Sequence, residues 1–390
     1  MKILQRQFIL VIFLALSQHS FSQSFPDLHF GTDETLDIIT WNIEWFPKEG
    51  QTTITNVKNI IKALDAEIIA IQEIDVKSSF QQLIDELEDY DGYYLNDEYQ
   101  SLGYLYKKSN IQIIDQYEIY TSQTYWSPFP RSPLVLEIKH QNKNYIIINN
   151  HLKCCGDGSL DPYDNGDEES RRLLACNLLD EYIRDHFDDQ RVILVGDLND
   201  ELTDRMLDNV FTPFINNSNE YRFADMEIAE SSSSDWSYPN WPSHLDHILI
   251  TNELFESYGQ EISNTEVIKL EEHFYGGFNE YDQKVSDHRP VGLQLKTEAL
   301  GIFESETPIG KLICSPNPTG QQTIFNYTAV QAPAYILLYN SKGQVIDQMH
   351  LPLHSTSAYW SRSHQKAGVY YTQLIENGQI ISSGKCVLLD

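Results

Sequence analysis

Apolar residues recur along this chain in two spacings, and the two alternate. Residues 36–41, Leu-Asp-Ile-Ile-Thr-Trp, read as a strand, whereas 53–64 places Ile54, Val57, Ile60, Ile61 and Leu64 at helical spacing. The run 67–72, Glu-Ile-Ile-Ala-Ile-Gln, predicts a buried strand, and 78–87 a helix with Ser78 as its cap. Segments 103–107 and 111–114 read as a hairpin, and 134–139 and 145–149 as two further strands. A long amphipathic helix over 168–186 leads to a core strand at 191–197, and strands at 247–250 and 290–295 close the set. Many strands with few helices predict two packed sheets with helices outside them, in one large unit.

Near Thr297 the pattern changes. Residues 298–312 lack periodicity and read as a linker. Short strands at 323–327, 334–339, 368–376 and 380–389 then alternate with turn sequences such as Asn340-Ser341-Lys342-Gly343 and Glu376-Asn377-Gly378. They predict a small all-β sandwich over 313–390. At the other end, a basic start, the apolar run 8–16 and small residues at Ser20 and Ser22 read as an export signal over 1–22. That run is too short for a bilayer core of roughly 30 Å, and no later segment is apolar enough for stable membrane insertion. The expected location is outside the cell or on its outer surface.

Composition changes the picture in one respect. Hydrophobic residues at 41% and charged residues at 22% are ordinary for a folded chain, but 27 Lys and Arg against 57 Asp and Glu leave a formal charge of −30. Such a surface repels nucleic acid and acidic headgroups at long range, which excludes binding through a basic face alone. A bound divalent cation with a few basic side chains reverses the field locally, so metal-assisted phosphate chemistry stays open. The cysteines are Cys154, Cys155, Cys176, Cys314 and Cys386, an odd set. Export permits disulfides. Cys314 and Cys386 flank the C-terminal region and are candidates to staple it, and Cys154 or Cys155 is a candidate to reach Cys176.

Candidate chemistry sits at strand ends. Asn42 and Glu73 follow the first two apolar strands, His151 follows 146–150, and Asp197 and Asn199 follow 192–196. Asp246 precedes Ile248-Leu249-Ile250, and Asp287 and His288 precede Val291. Strand ends of a rigid sheet can bring distant polar groups into one cleft. Phosphoryl chemistry needs carboxylates for a hard cation, a group to handle the proton of attacking water, and donors for the charged phosphate. Any one of these residues alone is an ordinary turn or cap residue; their ordered repetition carries the signal.

The motifs Thr40-Trp41-Asn42, Ile71-Gln72-Glu73, Arg131-Ser132-Pro133, Asn150-His151-Leu152, Gly196-Asp197-Leu198-Asn199, Leu245-Asp246-His247-Ile248 and Ser286-Asp287-His288-Arg289-Pro290 resemble, in order, those of the endonuclease/exonuclease/phosphatase superfamily. The resemblance implies a four-layer α/β sandwich over 33–297 with Mg²⁺ or Mn²⁺ in its cleft. It implies Glu73 as principal metal ligand, with Asn42 and Asp287 beside it. Asp197 and Asn199 are then expected to orient water and phosphate or to hold a second metal. His288 would contact the phosphate with Asp246 behind it, His151 would be the second catalytic histidine, and Arg131 would brace the fold or bind a phosphate oxygen. Hydrolysis would be direct, by in-line attack of water.

Asp75 stands where deoxyribonuclease I has a DNA-contacting arginine, which argues against duplex minor-groove binding. Glu98 is the nearest candidate carboxylate to support His151. The loop after His151 runs into Asp157, Asp161, Asp164, Asp167, Glu168 and Glu169, read as a solvated loop or as a structural Ca²⁺ site. Trp236, Tyr238, Trp241 and Pro242 read as loop packing, or as a platform for bases or a wedge into lipid. In the C-terminal region Ser315-Pro316-Asn317-Pro318, Leu338-Tyr339-Asn340 and Gly368-Val369-Tyr370-Tyr371 are similar to type A sorting domains, which the type IX secretion machinery recognises. The leading expectation is a secreted nuclease acting on DNA or RNA. A lipid or small-molecule phosphodiesterase and a non-catalytic surface-binding protein are the alternatives. Nothing in the sequence addresses the oligomeric state.

Overall fold

The computed structural model describes residues 25–95, 100–297, 312–362 and 365–389. The predicted export signal, Glu98 and all of the linker except Leu312 lie outside these residues. The chain divides into two compact units, one to Ala299 and one from Leu300. No helix among the described residues is long and apolar enough to cross a membrane.

In the first unit the strands are β1 (Thr35–Phe46), β2 (Ile68–Ile74), β3 (Tyr90–Tyr94), β4 (Ser101–Lys107), β5 (Gln112–Glu118), β6 (Leu134–His140), β7 (Lys143–His151), β8 (Val192–Asp197), β9 (Tyr221–Phe223), β10 (Asp246–Thr251), β11 (Asn264–Val267) and β12 (Val291–Lys296). They form two six-stranded sheets, β11-β12-β1-β2-β4-β3 and β5-β6-β7-β8-β10-β9. Alternation along each central strand explains the layers. In β1, Ile39, Trp41 and Ile43 face one way and pack on Ile54, Val57, Ile60 and Ile61 of helix α1 (Gln51–Leu64). Leu36 and Ile38 face the other way, into the core between the sheets, where they join Leu136, Ile193 and Ile248. The second sheet mirrors this. Ile147, Ile193 and Val195 point inward, while Ile146, Ile148, Val192 and Leu194 pack outward against Leu179 and Ile183 of helix α3 (Glu168–His186). Helices, sheet, sheet and helix make the expected four-layer α/β sandwich.

Two crossovers aim the chemistry. Strands β1 and β2 are parallel, joined through α1, and β7 and β8 are parallel, joined through α3. Parallel neighbours finish on the same edge of a sheet. Asn42 is therefore opposite Gln72, beside Glu73, and His151 is opposite Asp197. β10 runs antiparallel to β8, which sets the start of β10, Asp246, against the end of β8. Gly196 is required where β7 and β8 meet: its φ is +148°, and a Cβ there would lie 1.9 Å from Asn150 O.

Two local expectations are corrected. Segments 103–107 and 111–114 are not a hairpin: β4 pairs with β2 and β3 in the first sheet, whereas β5 pairs with β6 in the second. Ile111, buried in the core between the sheets, marks the crossing point. A short polar turn is compatible with either outcome, and sheet partners decide it. Helix α2 (Lys77–Glu86) starts before Ser78, with Val76 at its N-cap and no side-chain cap; burial of Phe80, Leu83 and Ile84 holds it instead.

The second unit is the expected small β-sandwich, with strands β13 (Ile313–Ser315), β14 (Gln322–Asn326), β15 (Ala334–Tyr339), β16 (Val345–Leu351), β17 (Ser357–Ser361), β18 (Gly368–Glu376) and β19 (Gln379–Leu388). They form two antiparallel sheets, β13-β14-β17 and β16-β15-β18-β19. Cys314 and Cys386 come from opposite sheets, with sulfur atoms 2.7 Å apart inside the sandwich. The sequence offered them as candidates to staple this region; here they are neighbouring free thiols.

Candidate active site

The strand ends deliver the polar residues to one cleft. Asn42 Nδ2 donates to Asp197 Oδ2 at 2.9 Å and to Glu73 Oε1 at 3.2 Å, tying the two sheets together. His151 Nε2 lies 3.5 Å from Asp197 Oδ2 and 3.8 Å from Glu73 Oε1. His288 Nε2 lies 3.8 Å from the same Asp197 oxygen and 4.0 Å from Asp287 Oδ1, while its Nδ1 meets Asp246 Oδ2 at 2.8 Å. Asn199 caps this group, with its N–H on Asp197 Oδ1 at 3.1 Å and Nδ2 on Leu152 O at 3.3 Å. Arg131 is one step removed: it donates to Gln100 Oε1, and Gln100 Nε2 donates to Glu73 Oε2 at 3.2 Å.

The backbone is bent to present these groups. The ladders of β1 with β2 and of β2 with β4 shift register between Asn42 and Phe46 and between Ile71 and Ile74. Such bulges re-aim side chains beside functional sites. Glu44, Trp45, Glu73 and Asn199 take positive φ values of 31°, 46°, 64° and 57°. These are conformations that non-glycine residues hold only where surrounding contacts enforce them. Trp45 N–H on Glu73 Oε2 at 3.1 Å is one such contact.

Electrostatics divide the site into distinct protonation states. Burial alone pulls the His288 imidazole down, but Asp246 and Asp197 outweigh it and hold its pKa well above the histidine range. His151 is pushed well below that range by burial, and then by Arg131 and His288. Burial raises Asp197 to about 7, opposed mainly by the charge of His288. The cleft thus pairs a cationic histidine with a neutral one around a carboxylate of raised proton affinity. Separated titrations of this kind mark acid and base roles.

The residues fit a hard divalent cation. The donors facing one another are carboxylate oxygens, and Asp287 Oδ1 and Asp246 Oδ1 are buried without a hydrogen-bond partner. Asp197, Asp246 and His288 also lie close enough together to hold an ion. The acidic loop 157–169 behaves differently. Asp157, Asp161, Asp164 and Asp167 accept backbone N–H groups of Ser159, Tyr163, Gly166 and Ser170. Among the described residues, neither group of side chains placed to hold a metal includes this loop.

Several contributors escaped sequence reading. Glu44 Oε2 accepts the Asp287 N–H at 3.0 Å, and Ser286 Oγ donates to Asn42 O at 2.7 Å. Gln72 Nε2 donates to Asn149 Oδ1 at 2.7 Å, a bond between the sheets beneath the cleft. Its signal was present: a polar residue in a strand buried on both faces needs a partner. Of the aromatic residues singled out in the sequence, Tyr238 packs its ring 4.8 Å from that of His288, while Trp241, at the tip of the turn closed by Tyr238 and Ser243, is 80% exposed.

A second buried set lies behind Asp246. Asp225 Oδ2 meets His247 Nδ1 at 2.6 Å and His244 Nε2 at 3.0 Å, and its Oδ1 accepts the Ile248 N–H at 2.9 Å. His247 Nε2 faces Asp200 O at 2.8 Å. Both His247 nitrogens face acceptors, so both carry protons. Although these three residues are also close enough for a metal, their ligand atoms are occupied by one another and by backbone. Ser237 Oγ accepts the Leu245 and Asp246 N–H groups and its carbonyl accepts the Arg289 N–H, which connects this set to the strand ends carrying Asp246 and His288.

Known proteins share the family and the fold. Residues 39–288 match the family described as the Endonuclease/Exonuclease/phosphatase family. Among solved structures the chain is similar to D. rerio TDP2 complexed with single strand DNA product, at 15% identity and a TM-score of 0.51, covering 68% of this chain and 100% of that one. It is also similar to the endonuclease/exonuclease/phosphatase from Bacteroides vulgatus, at 15% identity and a TM-score of 0.48, covering 67% and 99%. A further similar structure is the human Nocturnin catalytic domain with bound sulfate anion, at 14% identity and a TM-score of 0.48, covering 67% and 94%. No curated protein matches the sequence.

Proposed function

This chain belongs to the endonuclease/exonuclease/phosphatase family, hydrolases that act on phosphodiester bonds with a divalent metal, and from that premise we propose that it is an exported nuclease cleaving DNA or RNA by direct attack of water. The observation that carries the reading is Asp197, a buried carboxylate that meets Asn42, His151 and His288 at the open end of both sheets. The DNA product bound by the D. rerio TDP2 structure, which shares the fold, supports a nucleic-acid substrate.

In this reading Glu73, Asn42 and Asp287 would hold the Mg²⁺ or Mn²⁺, which when bound would neutralise charge on the phosphate. Asp197, raised to about 7, orients the attacking water and accepts its proton. His288, cationic and fixed through Nδ1 by Asp246, donates to a phosphate oxygen. His151, neutral, and the Asn199 amide position the phosphate from the β7 and β8 side. Arg131 acts through Gln100 to hold Glu73. Tyr238 and the exposed Trp241 provide aromatic surface for bases beside His288. Export by the N-terminal segment and sorting of the C-terminal sandwich by the type IX machinery belong to the same proposal, which rests there on sequence motifs.

The test is to incubate the full chain with plasmid DNA, RNA or sphingomyelin, in Mg²⁺, Mn²⁺, Ca²⁺ or chelator. Nucleic-acid cleavage that requires metal and vanishes in Glu73→Ala is expected. Cleavage of sphingomyelin alone, or full activity in Glu73→Ala, overturns the proposal.

A further inference from the structure

Cys154 and Cys155 stand two and three positions beyond Leu152, on the loop that leaves the candidate catalytic strand β7. Both are exposed, and the Cys155 thiol lies 3.0 Å from Cys154 Sγ. The loop beneath them is held firmly. Arg172, itself only 2% exposed, donates through Nη1 to Lys153 O and to Cys155 O, each at 2.7 Å, one on either side of Cys154. Its Nε donates to Asp200 at 2.8 Å, and its Nη2 lies 3.2 Å from Glu169. Glu169 in turn accepts the Gly158 N–H at 2.7 Å and presses on Gly156, where an added Cβ would lie 2.2 Å from its Oε1. A buried guanidinium and a buried carboxylate thus clamp the loop from below and leave the two sulfurs outward. Cys176 offers no competing partner at the surface, since it is buried in the core of α3.

From this geometry we infer that Cys154 and Cys155 form a vicinal dithiol that closes into a disulfide, a redox modification site built into the loop after His151. Lys153 Nζ lies 3.8 Å from Cys154 Sγ, so a thiolate forming there faces a cation. The oxidant is a small-molecule disulfide. The Cys154 thiolate attacks one of its sulfurs, forming a mixed disulfide and releasing one thiol after protonation. Cys155 then attacks Cys154 Sγ, forms the intramolecular S–S bond and expels the second thiol. The two cysteines lose two electrons and two protons, and the small disulfide gains both.

Closure is coupled to the candidate site through a short path. Leu152 N–H donates to Asp197 O at 3.0 Å, and Leu152 O accepts Asn199 Nδ2 at 3.3 Å. Ring closure restricts the backbone next to these bonds, while Arg172 holds the carbonyls on either side of Cys154 in place. This effect on hydrolysis rests on the proposed function, but formation of the disulfide does not.

The experiment therefore has two independent readouts on the full chain. The protein is equilibrated with dithiothreitol or with oxidised glutathione, alkylated with N-ethylmaleimide, and mapped by peptide mass. The expected result is a peptide carrying both cysteines with two alkyl groups after reduction. After oxidation the same peptide carries none and is lighter by two hydrogens. Two alkyl groups after oxidation, a stable glutathione adduct, or a link from either cysteine to Cys176 overturns the inference. Hydrolysis is then followed in both states. The oxidised form is expected to differ by about two- to tenfold in kcat/KM, the scale of one hydrogen bond. Cys154→Ser/Cys155→Ser is expected to abolish the difference. An equal rate in both states of the wild type, or a difference that persists in the double variant, removes the coupling. Absence of hydrolysis in either state counts against the proposed function and leaves the peptide map to decide the site.

Discussion

Two buried sets of carboxylate and imidazole lie side by side in this fold, and they differ in a way that residue type does not reveal. Asp225, His244 and His247 are each fully buried, and their ligand atoms face one another or the backbone. Burial raises the Asp225 carboxyl, yet His247 and His244 outweigh it and hold it well below the usual range, so the set is a closed ion cluster. Asp197, Asp246 and His288 have the same kinds of group, but among the described residues Asp246 Oδ1 is unpartnered, and the His288 Nε2 ion-pair distances are no shorter than 3.8 Å, to Asp197, and 4.0 Å, to Asp287. The first set is satisfied from within the protein; the second has valences directed into a cleft. Hydrogen-bond completeness, rather than composition, separates the structural cluster from the reactive one.

The sharpest way to break this comparison is at the open set. His288→Ala is expected to lower kcat/KM by about 10²- to 10⁴-fold per folded molecule, measured on a phosphodiester substrate. Retained activity would mean that the cleft has been misread. Asp246→Asn keeps shape and removes the charge behind His288; a loss of roughly 10- to 100-fold is expected, with the pH profile displaced because the imidazole loses its strongest neighbour. At the closed set the balance reverses. Asp225→Asn leaves the His247 charge buried and uncompensated, and should cost about 3–5 kcal/mol in denaturant unfolding. Activity per folded molecule should fall far less than in Asp246→Asn. Equal losses of activity in the two variants would erase the distinction.

A third buried pair, distant in sequence from either set, sharpens it with a smaller effect. Asp37 is fully buried beside Glu67, and burial, with the neighbouring Glu67 carboxyl, raises it to about 7. A raised carboxyl favours folding when protonated. Its contribution is complete below the unfolded value near 4 and is lost as pH rises through about 7. The wild type should therefore lose about 2–4 °C of Tm relative to Asp37→Asn between pH 5 and pH 8, by differential scanning fluorimetry. A parallel pair of curves would show that Asp37 is not the titrating group.

Legibility from sequence followed the range of the interactions. The central strands, helices α1 and α3, and the strand-end positions of Asn42, Glu73, His151, Asp197, Asp246 and His288 were written in local apolar periodicity and in motif order. The segments 103–107 and 111–114 misled because a turn of few polar residues is identical whether the next strand pairs locally or crosses to another sheet. Ser78 misled because buried Phe80, Leu83 and Ile84 set the start of α2 more strongly than a cap does. Glu44, Gln100 and the Asp225 cluster gave no local signal, since their partners are distant in sequence.

Periodicity, motif order and net charge belong to the chain by itself, because each arises within a strand, a turn of helix or the sum of side chains. Which imidazole is cationic and which carboxylate is left open were settled only when two sheets closed over them. Those properties depend on burial and on hydrogen-bond partners supplied from elsewhere in the chain, and neither exists until the layers pack.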